Sequence, residues 1–354
     1  MTLQVDKNST IPPFQQIKNQ IKAAIVSGEY PAEAALPSVR EVSRITNVAL
    51  TTAQRVYTDL RNENYIYSMR GKGNFVKSLA DRINHQIHVF LPSSSLSFFT
   101  KILQGVFSAA YSKNWEVIVH SLETDKLLWN EHTIEMLTDA IDQNAGVIFI
   151  EEAFGDVKQK CIEAAKIIPF VSIEWKLQGA SSVTNDYEHS MYQAMKYLVE
   201  QKSSKRFLIL KGRDYQYNAS QKIQGIHKVV EEFNLLINRD IYFRDSDFDA
   251  ISGYDVTQGF FKDKSVDTVI CANDYEAIGV IGALTQKGLL VGKDVRVLGY
   301  GDMTDKTTNY FPLSTVSQNL AQVGLSAVEE IFRLSSGESI RDITVAAHLE
   351  MRNT

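Results

Sequence analysis

Two groups of residues have the types and spacing to do chemistry. The first begins at Leu50-Thr51-Thr52-Ala53-Gln54-Arg55. At helical spacing Ala53, Val56, Tyr57 and Leu60 form an apolar stripe, which leaves Leu50, Thr51, Gln54 and Arg55 outward and Thr52 at the edge. A glutamine amide and threonine hydroxyls match the donor and acceptor pattern of base edges in a major groove, and Leu50 can pack on a thymine methyl. Arg40, and Lys72 beside Gly73 in the basic run Met69-Arg70-Gly71-Lys72-Gly73, supply cations for phosphates or a minor groove. In the second group, Phe98, Trp175 and Phe248 each follow an apolar segment or stand in a polar loop, where an aromatic can stack on a sugar face or a planar base. Asn273, Asp274, Asp302 and Gln318 offer acceptors and donors for hydroxyls, although Asp274 equally suits the cap of a helix starting near Tyr275. No Ser-His-Asp or Cys-His arrangement stands out. His85 and His88 are three apart, which on a strand points them to opposite faces, so neither catalysis nor a metal or cofactor is expected.

The elements that must carry the first group are short. Phe14, Ile17, Ile21, Ala24 and Ile25 mark a helix over 14–26, closed by Ser27-Gly28. Ser38 with Glu41 forms a capping box that opens a second helix, with Val39, Val42 and Ile45 as its stripe. After Thr46-Asn47 turns the chain, the third helix follows, so the pair reads as helix-turn-helix. Strand-like segments at 65–67 and 74–76 flank the glycine-rich basic turn as a hairpin wing. Residues 1–78 are therefore expected to be a winged helix-turn-helix domain, 79–85 a polar linker, and 86–354 a separate body.

In the body, strands are expected near 87–91, 116–120, 146–150, 170–173, 207–210, 241–243, 267–272 and 295–299, alternating with helical segments. That alternation implies βαβ units and parallel sheets. The body is too long for one doubly wound sheet of usual size, so two lobes with a cleft are expected, the chain crossing near Asn185 to Tyr187. The fold class is α/β: a winged helix-turn-helix followed by a two-lobed domain of parallel sheets. Open α/β sheets bind ligands at the carboxyl ends of their strands, which is where the second group falls.

Charge divides along the same line. The chain of 354 residues has net charge −5, yet residues 1–78 carry ten Lys/Arg against six Asp/Glu, a balance of +4, leaving −9 for the rest. A basic head on an acidic body suits one module held on phosphates and one that is not. Only Cys161 and Cys271 occur, each in an apolar segment, which fits buried reduced thiols. The first residues lack the order of a secretory signal and no apolar run is long enough to span a bilayer, so a cytoplasmic, non-membrane protein is expected.

Pro13-Phe14-Gln15-Gln16-Ile17, Ser27-Gly28, Leu36-Pro37-Ser38-Val39-Arg40-Glu41 and Gly71-Lys72-Gly73-Asn74-Phe75-Val76 together resemble the DNA-binding domain of the GntR family over about residues 11–77. The resemblance implies that Arg40 touches DNA. Ala49, Leu50 and Gln54 stand where that family often has a serine or threonine and then guanine-reading basic residues. Over residues 87–352 the chain resembles the LacI/GalR effector domain, itself like periplasmic sugar-binding proteins. The matching stretches are Ser97 to Gly105, Val183 to Tyr187, Phe248 to Tyr254, Ala272 to Asp274, Leu298 to Asp302 and Ser314 to Gln318. This combination looks like the arabinose-repressor subfamily. It implies ligand contacts at Phe98, Trp175, Asp186, Lys222, Phe248, Asn273, Asp302 and Gln318, and a sugar or sugar-derivative effector. Because one winged helix buries too little surface for specific binding and two-fold DNA sites match two-fold proteins, a homodimer formed through the body on an inverted-repeat operator is expected. Lys222 replaces the usual arginine three residues before Gly225, turning a bidentate grip into a point charge. Gly301 replaces the usual aspartate after Gly-Tyr, leaving its work to Asp302. A purine sandwiched by Trp175 and Phe248 is the alternative ligand. An enzyme fused to a GntR head is a third reading, for which the cofactor-anchoring lysine motif is not visible.

Overall fold

The computed structural model describes residues 3–92, 97–122, 131–212, 217–303 and 312–354. In the head, α1 (Pro13–Val26) opens on a proline, whose missing N–H costs nothing in a first turn. The expected capping box starts α2 (Val39–Thr46): Glu41 N–H donates to Ser38 Oγ at 3.2 Å, and Ser38 N–H donates to Glu41 Oε2 at 2.8 Å. Asn47, left-handed at φ 50°, makes the turn into α3 (Leu50–Asn62). Ala53, Val56, Tyr57 and Leu60 are all buried, as their spacing predicts. Ile45 is half-exposed instead, because the two-turn α2 sinks Val42 and Thr46 and leaves Ile45 at the rim. The wing is the antiparallel pair β1 (Ile66–Met69) and β2 (Gly73–Val76), whose turn uses Gly71 and Gly73 at positive φ.

Residues 79–85 are more structured than their polar sequence suggests. They contain the single-turn α4 (Leu79–Arg82), followed by buried Ile83. Asn64 Nδ2 donates to the carbonyls of Asp81 and Arg82, and Asn144 Nδ2 donates to the Glu63 carbonyl at 3.0 Å, so head and body touch here.

The body holds two six-stranded sheets. The first has β13 (Asp342–Val345), β7 (Ser181–Asn185), β6 (Phe170–Ile173), β5 (Gly146–Ile150), β3 (Gln86–Leu91) and β4 (Glu116–Ser121) in that spatial order, all parallel. The second runs β14 (Ala347–Glu350), β12 (Ser314–Gln318), β11 (Arg296–Tyr300), β10 (Thr268–Ile270), β8 (Phe207–Leu210) and β9 (Ile241–Arg244), with only β14 antiparallel. All eight expected strands are present. Helices α5 (Ser97–Tyr111), α6 (Glu131–Asp142), α7 (Gly155–Ala165) and α12 (Leu320–Ser335) cover the first sheet. The second is covered by α8 (Tyr187–Lys202), α9 (Tyr217–Glu232), α10 (Ala250–Phe260) and α11 (Asp274–Gln286).

The chain crosses between lobes at Asn185 to Tyr187, as the sequence suggests, and twice more, from β12 to α12 and from β13 to β14. Helix α12 lies backbone-close on α5: a Cβ on Gly105 would stand 1.9 Å from Ala321 O, and one on Gly324 2.0 Å from Ile102 O. Cys161 and Cys271 are free and buried. Among the described residues no helix is long and apolar enough to cross a membrane.

Candidate functional site

On the head, Leu50, Thr51, Gln54 and Arg55 lie exposed on one face of α3, with Thr52 half-buried beside them. Tyr57 presents its hydroxyl to the Pro37 carbonyl and thereby ties α3 to the segment that enters α2. The residue before α3 is Ala49, which provides no side-chain cap. Arg40 on α2, Lys72 at the wing tip and Gly73 are all exposed. Arg55 differs from its neighbours: its guanidinium lies 3.8 Å from the Phe14 ring centroid and 3.8 Å from an Asp59 oxygen, which orients it along the helix.

In the body, a cleft of about 470 Å³ opens where residues beyond the carboxyl ends of strands in both lobes meet. Five of the eight expected ligand contacts line it: Phe98, Lys222, Phe248, Asn273 and Gln318. Phe248 is left-handed at φ 64°, and both of its backbone groups are clamped. Its N–H donates to Glu276 Oε1 at 2.9 Å and its carbonyl accepts from Asn273 Nδ2 at 2.8 Å. The ring covers Gly212 so closely that a Cβ there would fall 2.2 Å from it. A backbone conformation of this kind persists only where the surrounding structure holds it, here through two hydrogen bonds. Asn273 also caps α11, accepting Glu276 N–H at 2.9 Å, so the expected cap at Asp274 sits one residue earlier. Asp274 is buried and accepts from Thr315 Oγ1 at 2.6 Å and Met303 N–H at 2.7 Å.

Lys222 is almost wholly buried. Its ammonium donates to the Ala272 carbonyl at 2.8 Å and lies 4.0 Å from the Tyr300 ring centroid. Burial lowers its pKa to about 8, against the pull of Glu174, Glu276 and Asp274. Gln318 Nε2 donates to the Tyr187 hydroxyl at 3.1 Å.

Three expected contacts lie elsewhere. Trp175 is 1% exposed in the core of the first lobe, where Nε1–H donates to the Phe149 carbonyl at 3.1 Å and the two rings meet edge-on. A sandwich of Trp175 and Phe248 around a planar base is therefore not formed. Asp186 caps α8, accepting His189 N–H at 3.3 Å, beside a separate depression with Tyr192 and Lys228. Asp302 is paired with Arg352 at 2.8 Å and accepts from Ser317 Oγ at 3.3 Å, and its carbonyl accepts from Lys101 of the other lobe.

Sequence reasoning missed Glu151, Tyr187, Asn218, Asp247, Asp249, Tyr275, Tyr300 and Met303 in the cleft wall. It also missed Glu276, fully buried, which holds Phe248 N–H and Ala272 N–H at 2.9 Å each. Tyr187 and Tyr300 fall in family-like stretches and were accessible to that reasoning; Asn218 carries no signal. Glu151 and Glu174, the first residues beyond β5 and β6, are both left-handed, at φ 68° and 69°. Burial pushes the Glu174 carboxyl up to about 8, while Asn185 Nδ2 donates to its Oε1 at 3.2 Å.

Residues 87–339 match the family described as periplasmic binding protein domain. The chain belongs to that family. Residues 13–76 match the bacterial regulatory proteins of the gntR family, so this periplasmic-binding-protein-type body carries a gntR-type head. Curated relatives include a protein of Haemophilus influenzae named HTH-type transcriptional repressor PurR, 24% identical over 307 residues, covering 83% of this chain and 89% of that protein. One of the same name from Mannheimia succiniciproducens is 24% identical, over 88% of this chain and 91% of that protein. Among solved structures, a LacI family transcriptional regulator from Enterococcus faecium with bound ribose has a TM-score of 0.65 at 19% identity, over 76% of this chain and 97% of that one. Transcription regulator CcpA of Lactococcus lactis has a TM-score of 0.66 at 17% identity, over 76% and 98%. This periplasmic-binding-protein-type regulator is thus a DNA-binding transcription regulator rather than an enzyme.

Proposed function

We propose that the chain is a cytoplasmic repressor that binds an inverted-repeat operator as a homodimer and is released by a sugar or sugar derivative taken into the cleft. The observation that carries this reading is the pairing, in one chain, of an exposed polar α3 face with an aromatic-walled cleft between two lobes. In this reading residues 1–78 form the operator-binding head, 79–85 the connection and 86–354 the effector and dimerisation domain. Gln54, Leu50, Thr51 and Thr52 read base edges, while Arg40, Arg55, Lys72 and the Gly73 backbone hold phosphates. Phe248 and Phe98 stack on the sugar, and Lys222, Asn273 and Gln318 form the polar floor. The sugar reading is supported by the fold neighbour solved with ribose, and the purine alternative loses its Trp175 wall. Dimerisation is assigned to the body because Phe107 and Tyr111 on α5, Ile251 on α10 and Ile278 on α11 are large apolar side chains left exposed.

The test uses the full chain and operator DNA obtained by in vitro selection, with fluorescence anisotropy followed while a panel of sugars is added. Release by a sugar supports the reading; tight binding unaffected by sugars but released by purines would replace it with the alternative.

A further inference from the structure

Glu276 stands in the first turn of α11, is 0% exposed, and lies outside the residues that line the cleft. Burying a carboxylate is unfavourable unless its oxygens are matched, so the groups that match them are informative. All of them belong to the segments that build the cleft. Phe248 N–H donates to Oε1 and Ala272 N–H to Oε2, each at 2.9 Å, and the Ser246 hydroxyl donates to the same carboxylate. The Glu276 N–H in turn donates to Asn273 Oδ1 at 2.9 Å, while Asn273 Nδ2 donates to the Phe248 carbonyl at 2.8 Å.

Two walls of the cleft therefore hang on one side chain. The first is the Phe248 ring, whose residue sits at φ 64° above Gly212; Ser246 Oγ also accepts the Gly212 N–H at 3.1 Å. A phenylalanine does not keep a left-handed backbone unaided, so the bonds to its N–H and carbonyl decide where the ring stands. The second is the Ala272 peptide, held by Glu276 at its N–H and accepting the Lys222 ammonium at its carbonyl at 2.8 Å. The base is rigid, because α10 and α11 touch backbone to backbone: a Cβ on Gly253 would stand 2.4 Å from Glu276 O, and one on Gly279 1.9 Å from Ala250 O.

We infer that Glu276 is a positioning residue of the effector site: without touching the effector it fixes the Phe248 ring and the Lys222 ammonium in the cleft, and effector affinity depends on it. This rests on the cleft being the effector site, as proposed above. Removing the carboxylate leaves Phe248 N–H, Ala272 N–H and the Ser246 hydroxyl without their acceptor, and the effector is expected to bind on the order of 10-fold more weakly.

The experiment uses the full chain on selected operator DNA with Glu276→Ala, Glu276→Gln, Phe248→Ala and the double variant Glu276→Ala with Phe248→Ala. Each complex is titrated with the active fraction of a deproteinised bacterial metabolite extract, defined as the fraction that alters operator affinity of the wild type. Operator affinity without extract should stay within about two-fold of wild type in every variant, because the head touches the first lobe and α11 covers the second. Glu276→Ala should need on the order of 10-fold more of the fraction, but about three-fold or less more when Phe248 is already alanine, since the residue acts largely through that ring. Glu276→Gln should fall between, because one amide oxygen meets three donors, and its crystal structure should show the Phe248 ring displaced from Gly212.

A wild-type response from Glu276→Ala overturns the inference and leaves the effector reading intact. So does an equal loss with and without the Phe248 ring. Should Glu276→Ala fail to fold, a wild-type response from the near-isosteric Glu276→Gln with Phe248 in place overturns it equally. A wild type that responds to no fraction overturns the effector reading, and the inference with it.

Discussion

Glu174 offers a sharp test of how the interior beside the cleft is built. Its carboxyl is buried, with Oε1 accepting from Asn185 and Oε2 without a hydrogen-bond partner, so the neutral acid is the favoured form. A carboxyl whose pKa is higher folded than unfolded binds more protons in the folded state. Its contribution is complete below the unfolded value of 4.5 and is lost as pH rises towards about 8. At 1.36 kcal/mol per pH unit, going from pH 5 to pH 8 removes up to roughly 4 kcal/mol, and relaxation of a real interior reduces this to about 2 kcal/mol. Lys222 does not confuse the window, because its lowered pKa of about 8 makes stability rise with pH only above that value. The perturbation is Glu174→Gln, which keeps shape and removes the proton. Urea unfolding followed by tryptophan fluorescence, with Trp175 adjacent in sequence, should show near-equal stability at pH 5. By pH 8 the variant should gain on the wild type by about 2 kcal/mol, less what Lys222 loses with its neighbour. A difference between the proteins that stays the same at both pH values would refute the reasoning, since it would mean that Glu174 is ionised throughout.

Other consequences concern function directly. Phe248→Ala should keep operator affinity near wild type and weaken the effector on the order of 10-fold or more, measured by titrating operator complexes with the active extract fraction; an unchanged response would make Phe248 a packing residue. Arg40→Ala should weaken binding to selected and random DNA alike and reduce the salt slope by about one phosphate, whereas Gln54→Ala should relax sequence preference. Equal losses for both variants on both DNAs would contradict that division. Tyr111→Asp with Ile251→Asp should shift the protein to monomers in sedimentation velocity, because both side chains are exposed and apolar; an unaltered dimer would place the interface elsewhere.

Most of the scaffold was legible because local signals agree with global packing. The capping box, the α3 stripe and the glycine wing each carry their own physics, and the eight expected strands are short apolar runs between helices. Of the four strands missed, β7, β12, β13 and β14, the first two are rich in serine and threonine. They are nonetheless buried, since Ser181 Oγ donates to Glu330 at 2.6 Å and Ser314 Oγ to the Thr354 carbonyl at 3.0 Å, partners far away in sequence. Site residues were harder for the same reason. Trp175 does follow an apolar strand, but Glu174 at φ 69° turns the chain and the ring packs on Phe149, which no spacing rule reveals. Asp302 is claimed by Arg352, fifty residues on. Glu276 lies on the buried face of α11, and its role appears only once Phe248 is seen in a left-handed turn against it.

The central claim is that one chain couples operator binding to a ligand in the cleft, and linkage measures it most directly. Operator affinity should be titrated by anisotropy with and without saturating effector fraction, and effector response measured with and without operator. Coupling requires different ligand affinities in the DNA-competent and DNA-incompetent arrangements, and it must be reciprocal. The account predicts that effector weakens operator binding by a factor of ten or more, on the order of a typical coupling of 1–3 kcal/mol, and that operator weakens effector binding by the same factor. Tight effector binding that leaves operator affinity unchanged would contradict it.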